Sequence, residues 1–528
     1  MKNLNYSDEQ RKMEVNTDEQ EFLPNNYGVF GQIDKSTNEI RQQTNRFNSP
    51  LGFFDRLNAN LKNKIKELAD TDSSNQFSPK NYLYPVPIPW QNIISFLYAK
   101  GIINSPRISF GRPLNDVPNF FASRLVNRLD SEPTDGKIND LRSYGRGVSL
   151  NFEEAISKTI GEALERYPLT IYRRRNFIRA SMSNLAKSKK NFLNIHKLAG
   201  FAEWQKGLFP KRKFDDQSNF FWAAGKEILS DKTALIPAQL VFWNYDVSQE
   251  PSEPYLREPN TNGAAGHFTV EEAILSGIYE NIQRDAFLIH WLNSIPPQKI
   301  DQNTAKDDDL RHLITLLNRY NFEVVLLNTS LDIPIFSCVC ILLDKSGVGP
   351  QISIGGGCEP NQEKAMMRSV VEALGIYSWI RTINYSFTLD KEYRPFRDHS
   401  IGQEKRMIIW RDKAAFTAIE SFISGGKQPL QETGLKTVNF NSPIEELNHV
   451  KNIFRDLGNG YEIFVCEAKH EILETLGYHS IKVIIPALVP LYLRENNAPL
   501  GSERLKDIPQ KLGMKPATDF NPWPHPFP

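Results

Sequence analysis

An internal echo restricts this chain more than any other feature. Three segments open on glycine and run into a helical pattern of matching register: GRGVSLNFEEAISKTIGEALER at 145–166, GAAGHFTVEEAILSGIYENIQR at 263–284 and GGGCEPNQEKAMMRSVVEALG at 355–375. Aligning Ala155, Ala273 and Ala365 puts Glu162, Glu280 and Glu372 seven residues further along each copy. Seven residues is nearly two helical turns, so alanine and glutamate share one face. Four beyond the glutamate stand Arg166 and Arg284, with Ile376 in the third copy. Three after the alanine come Lys158, Ser276 and Arg368, and three after the glutamate come Glu165, Gln283 and Gly375. Each helix thus carries polar groups on a stripe of small residues expected to face inward.

Two readings stand side by side. A glutamate followed four residues later by arginine is a common ion pair of helix surfaces, worth about 0.3–0.5 kcal/mol. Surface pairs, however, need no fixed place relative to an alanine and an upstream glycine. Carboxylates from separate helices that converge on one pocket repel unless cations lie between them. Magnesium with a nucleotide answers that need, because carboxylate oxygens hold the metal while phosphates fill its other positions. Glycines ahead of a helix N-terminus add backbone donors for phosphate. No G-x-x-x-x-G-K-[ST] occurs, so an ordinary P-loop does not compete.

The rest of the chain sets the frame. With 63 Lys and Arg against 62 Asp and Glu, no global field draws in nucleic acid or an anionic membrane, and neither is expected as a partner. No apolar run approaches the roughly 20 residues of a membrane span, and the opening MKNLNYSDEQRKMEV is charged where a secretory signal is apolar. The four cysteines are too few for a disulfide scaffold, so a soluble, cytoplasmic protein is expected. Residues 1–80 read as a polar extension with mobile first residues and short helical patches at 51–57 and 61–68. Residues 81–528 read as one large domain of mixed α+β class, with mixed sheets and packed helices. Helical patterns at 153–172, 270–292 and 363–380 alternate with β-branched runs at 323–327, 333–343, 461–467 and 481–493. Cys338 and Cys340 alternate within one apolar strand, as buried thiols rather than a zinc site. His267 reads as a loop histidine in solvent, or one near phosphate. Trp291 and Trp379 read as packing residues. At 521–528, Pro522, Pro524, Pro526 and Pro528 alternate with Trp523, His525 and Phe527. Such a tail is neither helix nor central strand, and an extended form reaches about 3.1 Å per residue. By composition alone it is an ordinary disordered end.

At these residues the sequence resembles the YcaO family, specifically the D-type subunits of thiazole/oxazole-modified microcin (bacteriocin) biosynthesis, natural-product enzymes that form azolines in ribosomally made peptides. The resemblance covers residues 110–528. It rests on YGRGVSLNFEEAISKTIGEALER, TNGAAGHFTVEEAILSGIYENIQRDAFLIHW, GGGCEPNQEKAMMRSVVEA, LGYHSIKVIIPALVPLYL and the ending NPWPHPFP, in the family's order. It implies a YcaO-like fold that grips ATP through glutamates of different helices and Mg2+. Glu162, Glu165 and Glu280 would be metal ligands, with Gln283 at a position where many relatives carry a second Glu. Arg146, Asn262, Ser276, Arg368 and Glu372 would contact the nucleotide, while Arg166 and Arg284 orient carboxylates. Pro524, Pro526, Phe527 and Pro528 would belong to a Pro-x-Pro-x-Pro ending that enters near the ATP site and serves catalysis.

The implied activity is an ATP-dependent peptide cyclodehydratase (heterocyclase). The implied partners are a precursor peptide and a leader-binding subunit related to ubiquitin-activating enzymes, expected as a separate chain because residues 1–80 are too short and too polar to be it. A flavin dehydrogenase often follows in such pathways, and a homodimer stays open. Two departures bear on activity: Lys158 stands where a serine is usual, and the neutral Gln283 removes one unit of negative charge. Formation of a thioamide or amidine, and a non-catalytic ATP-binding scaffold, stay open beside cyclodehydration.

Overall fold

The computed structural model describes residues 86–528 apart from 111–120, 129–133, 136–142, 348, 384–385, 390–392, 412 and 459. The helical patches at 51–57 and 61–68 and the 80/81 boundary lie outside the described residues. In chain order the main elements begin with helix α1 (Ile88–Ala99), strands β1 (Ser109–Phe110), β2 (Phe121–Val126) and β3 (Tyr144–Ser149), and helix α2 (Phe152–Thr170). Strands β4 (Ile178–Ser181), β5 (Asn219–Glu227), β6 (Lys232–Pro237) and β7 (Ala264–His267) lead into helix α3 (Val270–Leu292). Strands β8 (Gln298–Asp301), β9 (Phe322–Asn328), β10 (Phe336–Asp344) and β11 (Ile352–Glu359) precede helix α4 (Gln362–Thr382). Helix α5 (Gln403–Ile409) and strands β12 (Lys427–Pro429), β13 (Phe464–Glu467) and β14 (His479–Ile484) follow.

Among the described residues the strands form three sheets, β1-β2-β3, β11-β10-β9-β8-β12, and β4-β5-β13-β14-β7 with β6 added on β5. Pairing is antiparallel except between β8 and β12. The architecture is the mixed α+β one that the sequence predicts. Among the described residues no helix is long and apolar enough to cross a membrane.

The three repeat helices begin alike. Asn151, Thr269 and Asn361, each four residues before the aligned alanine, cap α2, α3 and α4 by accepting the N–H of Glu154, Glu272 and Lys364. Such a cap contributes about 1 kcal/mol, and acidic residues in the first turns favour the same end of the helix dipole.

The core is organised around β10, which is buried on both faces. Val339, Ile341 and Leu343 join Phe287, Trp291 and Phe527 in one cluster, while Cys338, Cys340 and Leu342 join Ala365, Met366 and Val370 in another. The two cysteines thus point to one face as buried thiols, as the two-residue period requires. Trp291 is wholly buried, in keeping with packing. The run at 481–493 departs from expectation: β14 ends at Ile484, and Pro486 and Pro490 keep the remainder out of a sheet. The run at 461–467 becomes strand only from Phe464.

Candidate active site: three carboxylates in a closed ring of repeats

The glycines that open the first and third copies turn out to be strand positions. Gly145 and Gly147 lie in β3, and Gly355 and Gly357 in β11. A Cβ at Gly145 would come within 2.0 Å of the Thr159 carbonyl oxygen, and one at Gly355 within 2.1 Å of the Ser369 carbonyl oxygen. Glycine is needed here because each strand lies directly on the backbone of its own helix. That close approach brings strand amides to the glutamates. The Arg146 N–H donates to Glu162, Gly263 N–H donates to Glu280 at 2.7 Å, and Gly356 N–H donates to Glu372 at 2.6 Å. In the second copy the donor is one residue early, at Gly263, whose φ of +74° suits glycine.

The other face of each strand meets the helix of a different copy. Gly266 in β7 lies against Glu165 of α2, where an added Cβ would come within 2.9 Å of the glutamate side chain. Gly356 in β11 lies against Gln283 of α3, with the same distance at 2.1 Å, and Gly375 of α4 lies against Val148 in β3, at 2.9 Å. Glu165, Gln283 and Gly375 are the equivalent residues three beyond each glutamate. The three strand–helix units therefore close on one another in a ring, first on second, second on third, third on first. Arg146 completes the last joint by donating to the Gly375 carbonyl, with its guanidinium 5.6 Å from the ring centre of Trp379.

Arginines hold the carboxylates together. Arg166 pairs with Glu162 at 2.5 Å. Arg284 Nη2 lies 3.5 Å from Glu280 and 3.7 Å from Glu372, so one guanidinium joins the second and third copies. The glutamate side chains stay partly open, with 26%, 28% and 33% exposure for Glu162, Glu280 and Glu372. Burial and then the like charge of Glu162 push the Glu165 carboxyl up to about 8, against the pull of Arg166. Burial also raises Glu372, while Arg284 opposes the rise. Burial pulls the Arg146 guanidinium below its ordinary value.

The donor set fits a divalent cation with a polyphosphate. Among the described residues no three His, Cys, Asp or Glu side chains form a ready metal cage, but magnesium shared with phosphates needs only one or two carboxylates per ion. Arg166 Nε, Arg284 Nε and Nη1, and Gln283 Nε2 are buried without a hydrogen-bond partner, donors that phosphate oxygens would satisfy. Gln283 packs its amide on the Gly356 backbone. The other sequence-predicted contacts have partners of their own. Ser276 bonds His267 at 3.0 Å, which places that histidine on a strand rather than in a loop. Arg368 pairs with Glu359 at 2.7 Å, Lys158 with Glu154 at 2.8 Å, and the Asn262 amide donates to the Leu491 carbonyl at 2.8 Å.

The proline-rich tail is buried, not frayed. Pro524, His525, Pro526 and Phe527 are buried and Pro528 is half-buried. The Asn521 N–H donates to the Leu292 carbonyl at 2.8 Å and the Trp291 indole to the Trp523 carbonyl at 3.2 Å. Phe527 meets Phe287 edge-on at 4.6 Å, and Arg284 lies 4.6 Å over the Phe527 ring. The arginine that joins Glu280 to Glu372 thus touches the tail. His525 lies against Arg406 on α5, which can only donate and whose Nη1 is 2.6 Å from Nε2 and 3.2 Å from Nδ1, while Nε2 also lies 2.9 Å from the Tyr492 carbonyl. Burial first, then the Arg406 charge, keep its pKa well below the ordinary histidine value.

A family model described as YcaO cyclodehydratase, ATP- and Mg2+-binding, matches residues 145–489. The chain belongs to the YcaO family. That match contains all three strand–helix units, and ATP and Mg2+ are the family's cofactors. Among curated proteins, an uncharacterized protein in the tfuA 3′ region of Rhizobium leguminosarum bv. trifolii is 27% identical over 161 residues, covering 29% of this chain and 37% of that protein. An uncharacterized protein of Methanothermobacter thermautotrophicus is 26% identical over 159 residues, covering 30% of this chain and 41% of that protein. The matches thus span well under half the length of those relatives. Among solved structures, a heterocyclase in complex with substrate and cofactor aligns with a TM-score of 0.64 and 18% identity, over 82% of this chain and 57% of that one. YcaO from Methanopyrus kandleri bound with AMPPCP and Mg2+ aligns with a TM-score of 0.52 and 15% identity, over 78% of this chain and 92% of that one. At these identities the structures establish a shared YcaO fold.

Two residues on the wall of the site were not singled out from sequence. Lys482 in β14 is 2% exposed and Arg257 precedes the second glycine segment. The signal for Lys482 was a lone charge inside the apolar stretch IKVII; Arg257 gave none.

Proposed function

We propose that this chain is an ATP- and Mg2+-dependent cyclodehydratase of a ribosomally made precursor peptide. Its substrates are Cys, Ser or Thr residues, converted to thiazolines or oxazolines. The observation that carries this reading is the gathering of Glu162, Glu280 and Glu372, from three helices, around Arg166 and Arg284, the second of which also touches a buried Pro-x-Pro-x-Pro tail.

In this reading Glu162, Glu165 and Glu280 hold magnesium, with Gln283 able to add only its carbonyl oxygen. Arg146, Asn262, Ser276, Arg368 and Glu372 hold the nucleotide, and Arg166 and Arg284 fix the carboxylates. The substrate side chain attacks the preceding amide carbonyl, and the resulting oxygen must depart as part of a good leaving group. ATP supplies the phosphoryl group for that, leaving ADP, phosphate and the ring. The protein's share is positioning and neutralisation of charge on the transferring group. The tail residues Pro524, Pro526, Phe527 and Pro528 place the amide beside the nucleotide. Neutral His525 anchors that tail by its hydrogen bonds. A separate leader-binding subunit, related to ubiquitin-activating enzymes, presents the peptide, and a flavin dehydrogenase would act later.

Reconstitution with a precursor and its leader-binding partner tests the reading. ADP release together with loss of one water's mass per modified residue is the expected result. Nucleotide binding without turnover would make the chain a scaffold, and exchange of oxygen for sulfur would make it a thioamide-forming enzyme.

A further inference from the structure

A small polar pocket lies one residue from the cradle along two chain segments. Its walls include Arg257, Asn260, Asn262, Asn281 and Lys482. Asn262 precedes Gly263, whose N–H holds Glu280, and Asn281 follows Glu280. The free space is that of about one water molecule, enough for one oxygen atom of a larger ligand and too little for a nucleotide.

The cations in this pocket are unlike the structural arginines of the same fold. Arg504, for comparison, is fully engaged, with Asp285 at 2.5 and 2.9 Å and Asp332 at 2.8 and 3.0 Å. Arg257 Nε and Nη2 are sealed from solvent and have no hydrogen-bond partner. Glu258 also lines the pocket, but its carboxylate is engaged by the Leu493 and Arg494 N–H groups at 3.2 and 3.1 Å and by the Arg494 guanidinium at 3.4 Å. Lys482 donates to the Asn260 carbonyl at 2.7 Å, a neutral acceptor. Burial lowers Arg257 to about 10 and Lys482 to about 7; the Glu280 carboxylate opposes the lowering of Lys482 and Arg257 adds to it, and the two cations line one space. Guanidinium donors buried without an acceptor cost free energy that an anionic oxygen would offset.

We propose that Arg257 and Lys482 form a subsite for an anionic phosphoryl oxygen, on the wall of the cradle beside Asn262. The inference rests on the nucleotide reading and adds to it a site for the terminal phosphoryl group. That group is either the γ-phosphoryl still attached to the nucleotide or the phosphate it becomes. In both cases the two cations hold the charge that ADP lacks, and they act on the phosphoryl group rather than on the metal.

The test is calorimetric titration of the full chain with Mg2+ and either ADP or the non-hydrolysable analogue AMPPCP. Arg257→Met is expected to weaken AMPPCP at least about tenfold and to leave ADP within about twofold, as the loss of a charge-assisted bond requires. Lys482→Met should act in the same direction, and Lys482→Arg should restore most of the difference. Inorganic phosphate added to the Mg·ADP complex distinguishes the two sources. Binding to the wild type that Arg257→Met abolishes marks a site that keeps released phosphate, whereas AMPPCP discrimination without phosphate binding marks one for the attached group. Melting curves report whether each variant folds; if Arg257→Met does not, the two Lys482 variants and the wild-type phosphate titration decide. Equal effects on ADP and AMPPCP, or no effect on either, overturn the subsite. A wild type that fails to bind Mg·ADP sinks the nucleotide reading itself, and the subsite with it; binding of both ligands without discrimination sinks the subsite alone.

Discussion

The carboxylate cradle and the socket of the tail are both built around arginine, and they treat its charge in opposite ways. In the socket Arg406 and Glu495 are wholly buried, with the ion pair at 3.8 Å. Arg406 also donates to the carbonyls of Tyr492, Leu493 and Phe527 and to His525. Its two Nη groups are thus spent on the chain itself, while its Nε and both Glu495 oxygens have no hydrogen-bond partner. In the cradle Arg284 spans two carboxylates at 3.5 and 3.7 Å, keeps two donor groups without partners, and the carboxylates are open to solvent by about a quarter to a third. A sealed arginine bound to the chain's own carbonyls fixes a shape. Partly open carboxylates beside donors without partners store affinity for something that comes from outside.

Mutations at the two arginines put a number on that contrast. Arg406→Met should cost about 3–5 kcal/mol of folding stability, because it strands a buried carboxylate and several carbonyls. Arg284→Met should cost only about 1 kcal/mol, since its ion pairs are long and partly hydrated. Chemical denaturation measures both, and equal costs would erase the distinction. Gly356→Ala tests the ring of repeats: a Cβ there would sit 2.1 Å from the Gln283 side chain, so a loss of about 1–3 kcal/mol is expected from overpacking. An unchanged melting temperature would mean that the second helix does not rest on the third strand.

The socket also carries a pH signature. Burial raises the Glu495 carboxyl to about 7, with Arg406 opposing the rise. A carboxyl whose folded pKa lies above its unfolded value binds the proton more tightly when folded. Stability is therefore greatest below about pH 4.5 for this group and falls as pH rises toward 7, on the order of 3 kcal/mol. Glu495→Gln should flatten that fall between pH 5 and pH 7, and a variant that tracks the wild type would assign the slope elsewhere. The smallest effect belongs to the repeat caps. Asn361→Ala should cost about 1 kcal/mol, measured by thermal unfolding, and no loss would remove the cap from the account of α4.

The helices of the three repeats were legible because their information is local. The pattern at 270–292 is α3 to the residue, and the other two helices differ by one or two residues at each end. The shared face of Glu162, Glu280 and Glu372 followed from spacing alone. What spacing does not contain is which strand each helix meets second. The contacts of Glu165 with Gly266, Gln283 with Gly356 and Gly375 with Val148 join segments about 70 to 230 residues apart, and only the closed ring fixes them. The glycines were visible, but their reason was not: a strand pressed onto a helix backbone and a turn before a helix look alike in sequence. The tail shows the same limit. Alternating prolines exclude helix and central strand, while its burial depends on Arg406, Tyr492 and Phe287, all distant in sequence.

The direct test of the central claim is titration of the wild type and Glu280→Gln with AMPPCP, with and without Mg2+. Binding that requires the metal in the wild type and weakens at least about a hundredfold in Glu280→Gln is predicted, since in the proposed reading that change removes a charged magnesium ligand contributed by the second repeat. Tight binding without magnesium, or an affinity that Glu280→Gln leaves unchanged, would contradict it.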